Sequence, residues 1–520
     1  MNGAIAAGHP LTAEAGARIL AEGGNAVDAC VAAAFVSWVT ESPLTGPAAG
    51  GFMLVHRARD RTDRLLDFFV AVPGRGLAGE PAPVEPVDVA FDATNLYRYY
   101  VGPASCAVPG ALAGLAEAHR LYGRFPWREL VAPAVALARD GVALSPAQAH
   151  LHAILDPILR REPGGRRVYG ESELLGTGQV LRMRDLASTL ELLAEEGGGV
   201  LYGGELGRRV SEHCLERGGR ITAEDLSSYR VVRRVPVRAQ FRGHELVSNP
   251  PPSSGGVLIA YALRLLALDP RVPEPGTAAA LARIAGVMGE AARARGGRFT
   301  TDLHRGGLAT RLLSDRSIEA GAARLRNGGP GDAAEPAGLP STTHISVVDA
   351  AGNAASLSSS TGTGSGVVVP GTGIHLNNML GEEDLAASGE RCAPGRRLTS
   401  MMSPSIVLRD GRPRLVVGSA GSLRLRGAIV QIVSNIFEHG LPVQEAISAP
   451  RIHVEGARLH MEEDFSTAAV DELERLGYET VRWRGRNLYF GGASAVTLEE
   501  DGRLEAAGDP RRGGAGIVVA

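Results

Sequence analysis

Chemistry is most concentrated at Ser341-Thr342-Thr343-His344, where a Gly-, Pro- and Ala-rich stretch (326–341) meets a strand-like run. A threonine hydroxyl is almost never ionised near neutral pH and needs a base beside it before it can attack a carbonyl. Lysine cannot be that base, because the sequence contains none and all 54 basic residues are arginine. The same absence excludes Schiff-base chemistry and a Walker-A phosphate loop. A free α-amine, with a pKa of about 7.7–8.0, would serve. A threonine that begins a chain carries both groups. Thr342 could reach that state if its hydroxyl attacked the preceding carbonyl, shifting the peptide to an ester that water then opens. The spacing thus predicts self-cleavage between Ser341 and Thr342. A Thr-Thr pair at an ordinary strand start remains the bland alternative.

Other signals fail. Val417-Gly418-Ser419-Ala420-Gly421 lacks the first glycine of a nucleophile elbow, and Gly362-x-Gly364-x-Gly366 is not followed by a helix. No HExxH occurs, and the thirteen histidines show no ligand spacing. The four cysteines (Cys30, Cys106, Cys214, Cys392) form no CxxC pair, so neither a zinc site nor a disulfide framework is expected. No motif calls for a metal or an organic cofactor. A net charge of −3 gives no nucleic-acid footprint. The apolar run 26–39 is broken by Asp28 and too short to span a bilayer. The first arginine is Arg18, so no basic leader region is read. The expectation is a soluble cytoplasmic protein acting on a small molecule.

These residues need elements to hold them. Apolar spacing predicts helices over 10–22, 26–39, 110–121, 127–139, 184–196, 205–217, 277–294 and 424–439. Strands are predicted at 51–56, 64–69, 342–349, 354–360, 403–408 and 413–419, with a turn at 350–353 and a Gly-rich loop at 361–373. The stretch 326–341 reads as an exposed linker.

Landmarks then fall in order along nearly the whole chain: HPLTAEAGARILAEGGNAVDA (9–29), GGFMLV (50–55), VPGALAG (108–114), GRITAEDLSSYR (219–230), PPPSSGG (250–256), TTHISVVDAAGNA (342–354), GIHLNNM (373–379) and MSPSIV (402–407). In these the chain resembles the γ-glutamyltransferase family of N-terminal-nucleophile hydrolases. The resemblance implies an α+β fold, a four-layer αββα sandwich made as one precursor and cut into interlocked subunits of residues 1–341 and 342–520. It assigns the nucleophile to Thr342 and a supporting hydroxyl to Ser360. It places backbone oxyanion donors at Gly421 and Ser422, a pair that also reads as a plain strand-to-helix turn.

The resemblance also exposes departures at the recognition end. Where the family grips a glutamyl carboxylate with the arginine of DFRE, this sequence has Asp67-Phe68-Phe69-Val70, placing Phe69 there. Gly362 replaces a hairpin asparagine. Of the paired serines before MSP, Ser400 remains and Met401 takes the second place. The acidic residue after LNN corresponds to Glu382 or Glu383. A charge-assisted hydrogen bond is worth about 1.5–3 kcal/mol and an Arg–carboxylate pair makes two, so ordinary glutathione binding is not expected unless Arg424 or Arg426 compensates. The resemblance leaves open water or an amine as acceptor. It also admits carbon–carbon hydrolysis beside a keto acid, with oxalate release, as in relatives of alkylproline antibiotic biosynthesis. A non-enzymatic reading, an uncleaved scaffold, would fit the same losses.

Overall fold

A computed structural model describes residues 2–90, 96–327, 342–382 and 393–520. Two antiparallel sheets lie face to face. The first runs in the order 515–519, 3–7, 343–349, 354–360, 50–57, 62–68, 232–234. The second runs 504–508, 492–498, 412–420, 405–409, 244–248, 237–241. Segments from both sides of position 342 therefore contribute strands to each sheet.

The layering follows from side-chain alternation. Successive residues of a strand point to opposite faces. In strand Thr343–Asp349, Ile345 and Val347 join Ile5, Met53, Val55 and Leu357 in a core against helices Pro10–Ala21, Ala26–Thr40, Ala111–Tyr122 and Trp127–Asp140. On the other face Val348 joins Ala4, Ala6, Phe52 and Leu54, which meet Ile406, Val416 and Val496 of the second sheet. That sheet's outer face packs on helices Gly255–Leu268, Ala278–Arg293 and Arg424–Phe437. Three apolar seams thus separate four layers in the order αββα, as the family resemblance implies.

Helix Ala26–Thr40 is buried along its whole length, which explains why its sequence is apolar all round. Asp28, which interrupts that run in the sequence, caps it. Its Oδ2 accepts the Asn25 amide at 3.0 Å, and its Oδ1 accepts the amides of Arg124 at 3.0 Å and Phe125 at 3.2 Å. Each predicted helix is present within a few residues. The loop 361–373 additionally carries a small ladder, Val368–Val369 with Ile374–His375. A three-stranded sheet, 452–455, 458–462 and 479–483, was not foreseen. The proposed linker continues a helix, Asp315–Asn327, and its remainder lies outside the described residues.

Candidate active site

The hairpin register builds one row across the strand ends of the first sheet. Thr343 pairs with Ser359, so one further step sets Thr342 beside Ser360. Ser360 pairs with Gly50, and Gly51 pairs with Phe68, which sets Phe69 beside Gly50. Three strand spacings of about 4.8 Å put Phe69 about 14 Å from Thr342. Thr342, Ser360 and Phe69 therefore share one row, although 273 residues separate Phe69 from Thr342 in sequence.

Thr342 is buried, 6% exposed, and its carbonyl accepts the Arg512 Nη1–H at 2.7 Å. The Arg512 side chain crosses Gly492, where an added Cβ would lie 2.3 Å from Arg512 Cδ. Gly492 pairs with Ala420, so strand Arg412–Ala420 ends at the same end of the sandwich as Thr342. The next two residues are Gly421 (φ 129°) and Ser422 (φ 50°), followed by helix Arg424–Phe437. Ser422 thus occupies left-handed backbone as a non-glycine, a strained conformation of the kind that gathers at functional sites. Two residues on from Thr342, His344 lies under Gly418, where a Cβ would meet its ring at 2.2 Å. The His344 ring nitrogens pair with Ser358 Oγ at 2.8 Å and Ser346 Oγ at 3.0 Å. Burial holds this histidine neutral, its pKa drawn down to about 3.

Behind the strand is an ionic cluster. Arg511 binds the Glu462 carboxylate with Nε at 2.7 Å, and Arg451 meets Asp509 at 2.7 Å. These buried pairs fix the turn 509–512 that delivers Arg512. On the helix side, the Thr343 hydroxyl donates to Glu41 Oε2 at 2.6 Å. Glu41 and Arg512 carry no motif that marks them in the sequence. Only their positions, at the end of an apolar helix and before the last strand, hint at a role.

At the other end of the row, Phe69 is 1% exposed and stacks on Phe52 with ring centroids 5.4 Å apart. Met379, Leu398 and Met402 belong to the same intersheet cluster. Arg397 does not replace the missing guanidinium for a ligand. It donates to the Phe69 carbonyl, its Nε lies 3.3 Å from Asp67 Oδ1, and its guanidinium sits over the Tyr229 ring. Asp67 is also met by Arg234 Nε at 2.7 Å. Arg424 lies 4.3 Å over the Tyr489 ring, and Arg426 donates to the Leu423 carbonyl at 3.3 Å. Both are buried.

Gly362 (φ 66°) donates its amide to Ser360 Oγ at 3.0 Å. A Cβ at 362 would lie 2.1 Å from Asn378 Oδ1 and 3.0 Å from Glu382 Oε1, so these groups converge. Glu382 accepts the Thr363 amide at 3.3 Å, and Asn378 Oδ1 is buried without a hydrogen-bond partner among the described residues. Ser400 Oγ accepts the Met402 amide at 3.0 Å. Met401 packs instead into the helix-side core, with Ser254 Oγ 3.0 Å from its sulfur, and is not brought into this row. Ser341 and Glu383 lie outside the described residues. Among the described residues no cluster of three or more His, Cys, Asp or Glu side chains could hold a metal. No helix there is long and apolar enough to cross a membrane.

Residues 12–519 match the gamma-glutamyltranspeptidase family. The chain is 32% identical to the acylase ACY 1 proenzyme of Pseudomonas sp. (strain SE83), over 99% of this chain and 93% of that one. It is 30% identical to the glutathione hydrolase proenzyme of Escherichia coli (strain K12), over 98% and 90%. The structure superimposes on cephalosporin acylase from Bacillus halodurans with a TM-score of 0.85 and 25% identity, covering 99% and 95%. With its αββα layers in place, the chain belongs to the gamma-glutamyltranspeptidase family of N-terminal-nucleophile hydrolases and is an enzyme of that family.

Proposed function

We propose that this protein is a self-activated threonine amidohydrolase whose acyl pocket favours an apolar group over a free glutamyl end. Cleavage between residues 341 and 342 frees the Thr342 amine. Thr342 Oγ then attacks the substrate carbonyl while its proton passes to that amine. The Gly421 and Ser422 N–H groups meet the oxyanion. The amine returns the proton to the departing nitrogen, leaving an ester on Thr342 that water or a second amine resolves.

The observation that carries the reading is the row Thr342–Ser360–Gly50–Phe69, with the Thr342 carbonyl held by Arg512 at one end and a stacked phenyl pair at the other. Similarity to proteins named acylase supports an amide substrate. With Phe69 in place of a guanidinium, an α-carboxylate would be buried unpaired, which costs orders of magnitude in affinity. The acceptor corner of Glu382 and Asn378 still suits an amine or amide N–H.

A p-nitroanilide panel tests this. Aliphatic acyl anilides are expected to exceed γ-glutamyl-p-nitroanilide in kcat/KM by at least about tenfold, the yield of one lost charge-assisted hydrogen bond. Thr342→Ala should abolish turnover. A preference for the γ-glutamyl substrate would overturn the pocket assignment, and turnover surviving in T342A would overturn the nucleophile.

A further inference from the structure

Glu41 takes no part in the chemistry above, yet the fold keeps its carboxylate 6% exposed beside the nucleophile strand. It caps the C-terminus of helix Ala26–Thr40. Its Oε2 accepts the Thr343 hydroxyl at 2.6 Å, and its Oε1 accepts the Thr12 hydroxyl at 3.3 Å. Thr12 is itself tied to Thr40 at 2.8 Å. Gly8 leaves the carboxylate just enough room, since a Cβ there would lie 2.3 Å from Oε2. Burial pushes the Glu41 carboxyl up to about 7, against the pull of the Thr343 hydroxyl and the Arg512 charge. Arg512 is drawn down to about 10 by the same burial, with Glu41 opposing. His9, His152 and Arg511 complete the small cavity around the pair.

Burying two opposite charges around one small cavity is a poor way to gain stability, because desolvation consumes most of the attraction. Its geometry here serves another end. Arg512 holds the carbonyl of residue 342, and Glu41 holds the side chain of residue 343. Thr343 faces the helix layer, so strand alternation turns Thr342 to the opposite face, into the space between the sheets. A rotation or slip of this strand end would swing the Thr342 hydroxyl away from the cleft.

We propose that Glu41, acting through the Thr343 hydroxyl and opposite Arg512, is the positioning residue that aims Thr342 into the intersheet cleft. The inference rests on the reading of Thr342 as nucleophile. Misplacing a reacting group by about 1 Å costs on the order of a hundredfold in rate, which sets the scale of the effect.

The test uses the full chain and p-nitrophenyl acetate as acylating probe. It follows the p-nitrophenolate burst and the mass of the fragment that begins at Thr342. Thr343→Val, which deletes the hydrogen bond, is expected to slow acylation by about 30–100-fold, and Glu41→Gln, which leaves a neutral amide oxygen as acceptor, by about 3–10-fold, while the thermal midpoint moves little. The double variant should be no slower than the worse single one, because both changes act on the same hydrogen bond. Thr343→Ser, which restores the hydroxyl, should recover most of the lost rate. Wild-type acylation rates in folded E41Q and T343V would overturn the proposal, as would losses that multiply in the double variant. If E41Q does not fold, the T343V and T343S pair decides alone. Absence of acylation on Thr342 in the unaltered protein would remove the nucleophile assignment itself, an outcome distinct from the two above.

Discussion

A single methyl group at position 418 should separate folding from catalysis. Gly418 belongs to the second sheet and covers His344 of strand Thr343–Asp349. An alanine Cβ there would lie 2.2, 2.3 and 2.6 Å from three atoms of the imidazole. The ring cannot turn aside, because both its nitrogens are engaged, with Ser358 and Ser346. The sheets must therefore part or the strand must shift. Overpacking of this kind costs about 1–3 kcal/mol. With an unfolding entropy of about 2.1 cal/mol/K per residue, a 520-residue cooperative unit would lose only about 1–3 °C. The rate should suffer far more, because His344 is two residues from Thr342 and a shift near 1 Å is worth about a hundredfold. Gly199→Ala is the control: a Cβ there meets nothing within 4 Å, and the position begins a short helix. It should stabilise by about 0.4–1 kcal/mol. Differential scanning fluorimetry and the p-nitrophenyl acetate burst supply the two readouts. Wild-type acylation in G418A would refute the idea that the packing of the two sheets aims Thr342.

Two further outcomes follow from the same geometry. Burial draws His152 and His375 down to about 4 and His344 to about 3, below the 6.5 of an unfolded chain. Their contribution to stability is full above pH 6.5 and drains as pH falls toward 4, whereas that of Glu41, with its carboxyl raised to about 7, is full below about 4.5 and is lost as pH rises through 7. The thermal midpoint should therefore pass through a maximum near pH 6–7 and fall more steeply on the acid side; a flat profile from pH 4 to 9 would contradict this. Ser422→Gly removes a side chain from a φ of 50° and should raise stability by about 1 kcal/mol; a loss in urea melts would show that the Ser422 hydroxyl outweighs the strain.

Much of the fold was legible because its signals are local. Alternation in 343–349 and 354–360 gives the central hairpin, and continuous apolar runs give helices such as Ala26–Thr40. The row that assembles the site was not legible from spacing, since Phe69, Gly50, Ser360 and Thr342 meet only through sheet register. Met401 shows the limit of carrying a position over from the resemblance. The residue follows Ser400 in sequence, yet the strand entry turns it into the helix-side core. Glu41 and Arg512 were missed for a related reason: each is one charge with no motif, given meaning only by burial beside residues 342 and 343.

The central claim is that the chain manufactures its own reactive terminus. Intact mass and N-terminal sequencing of the freshly purified 54.2 kDa protein test it most directly. The account predicts two polypeptides that stay together through gel filtration, the smaller beginning Thr-Thr-His, and a single uncut chain from Thr342→Ala. A fully folded protein that remains one uncut chain, or a break at any other bond, would contradict it.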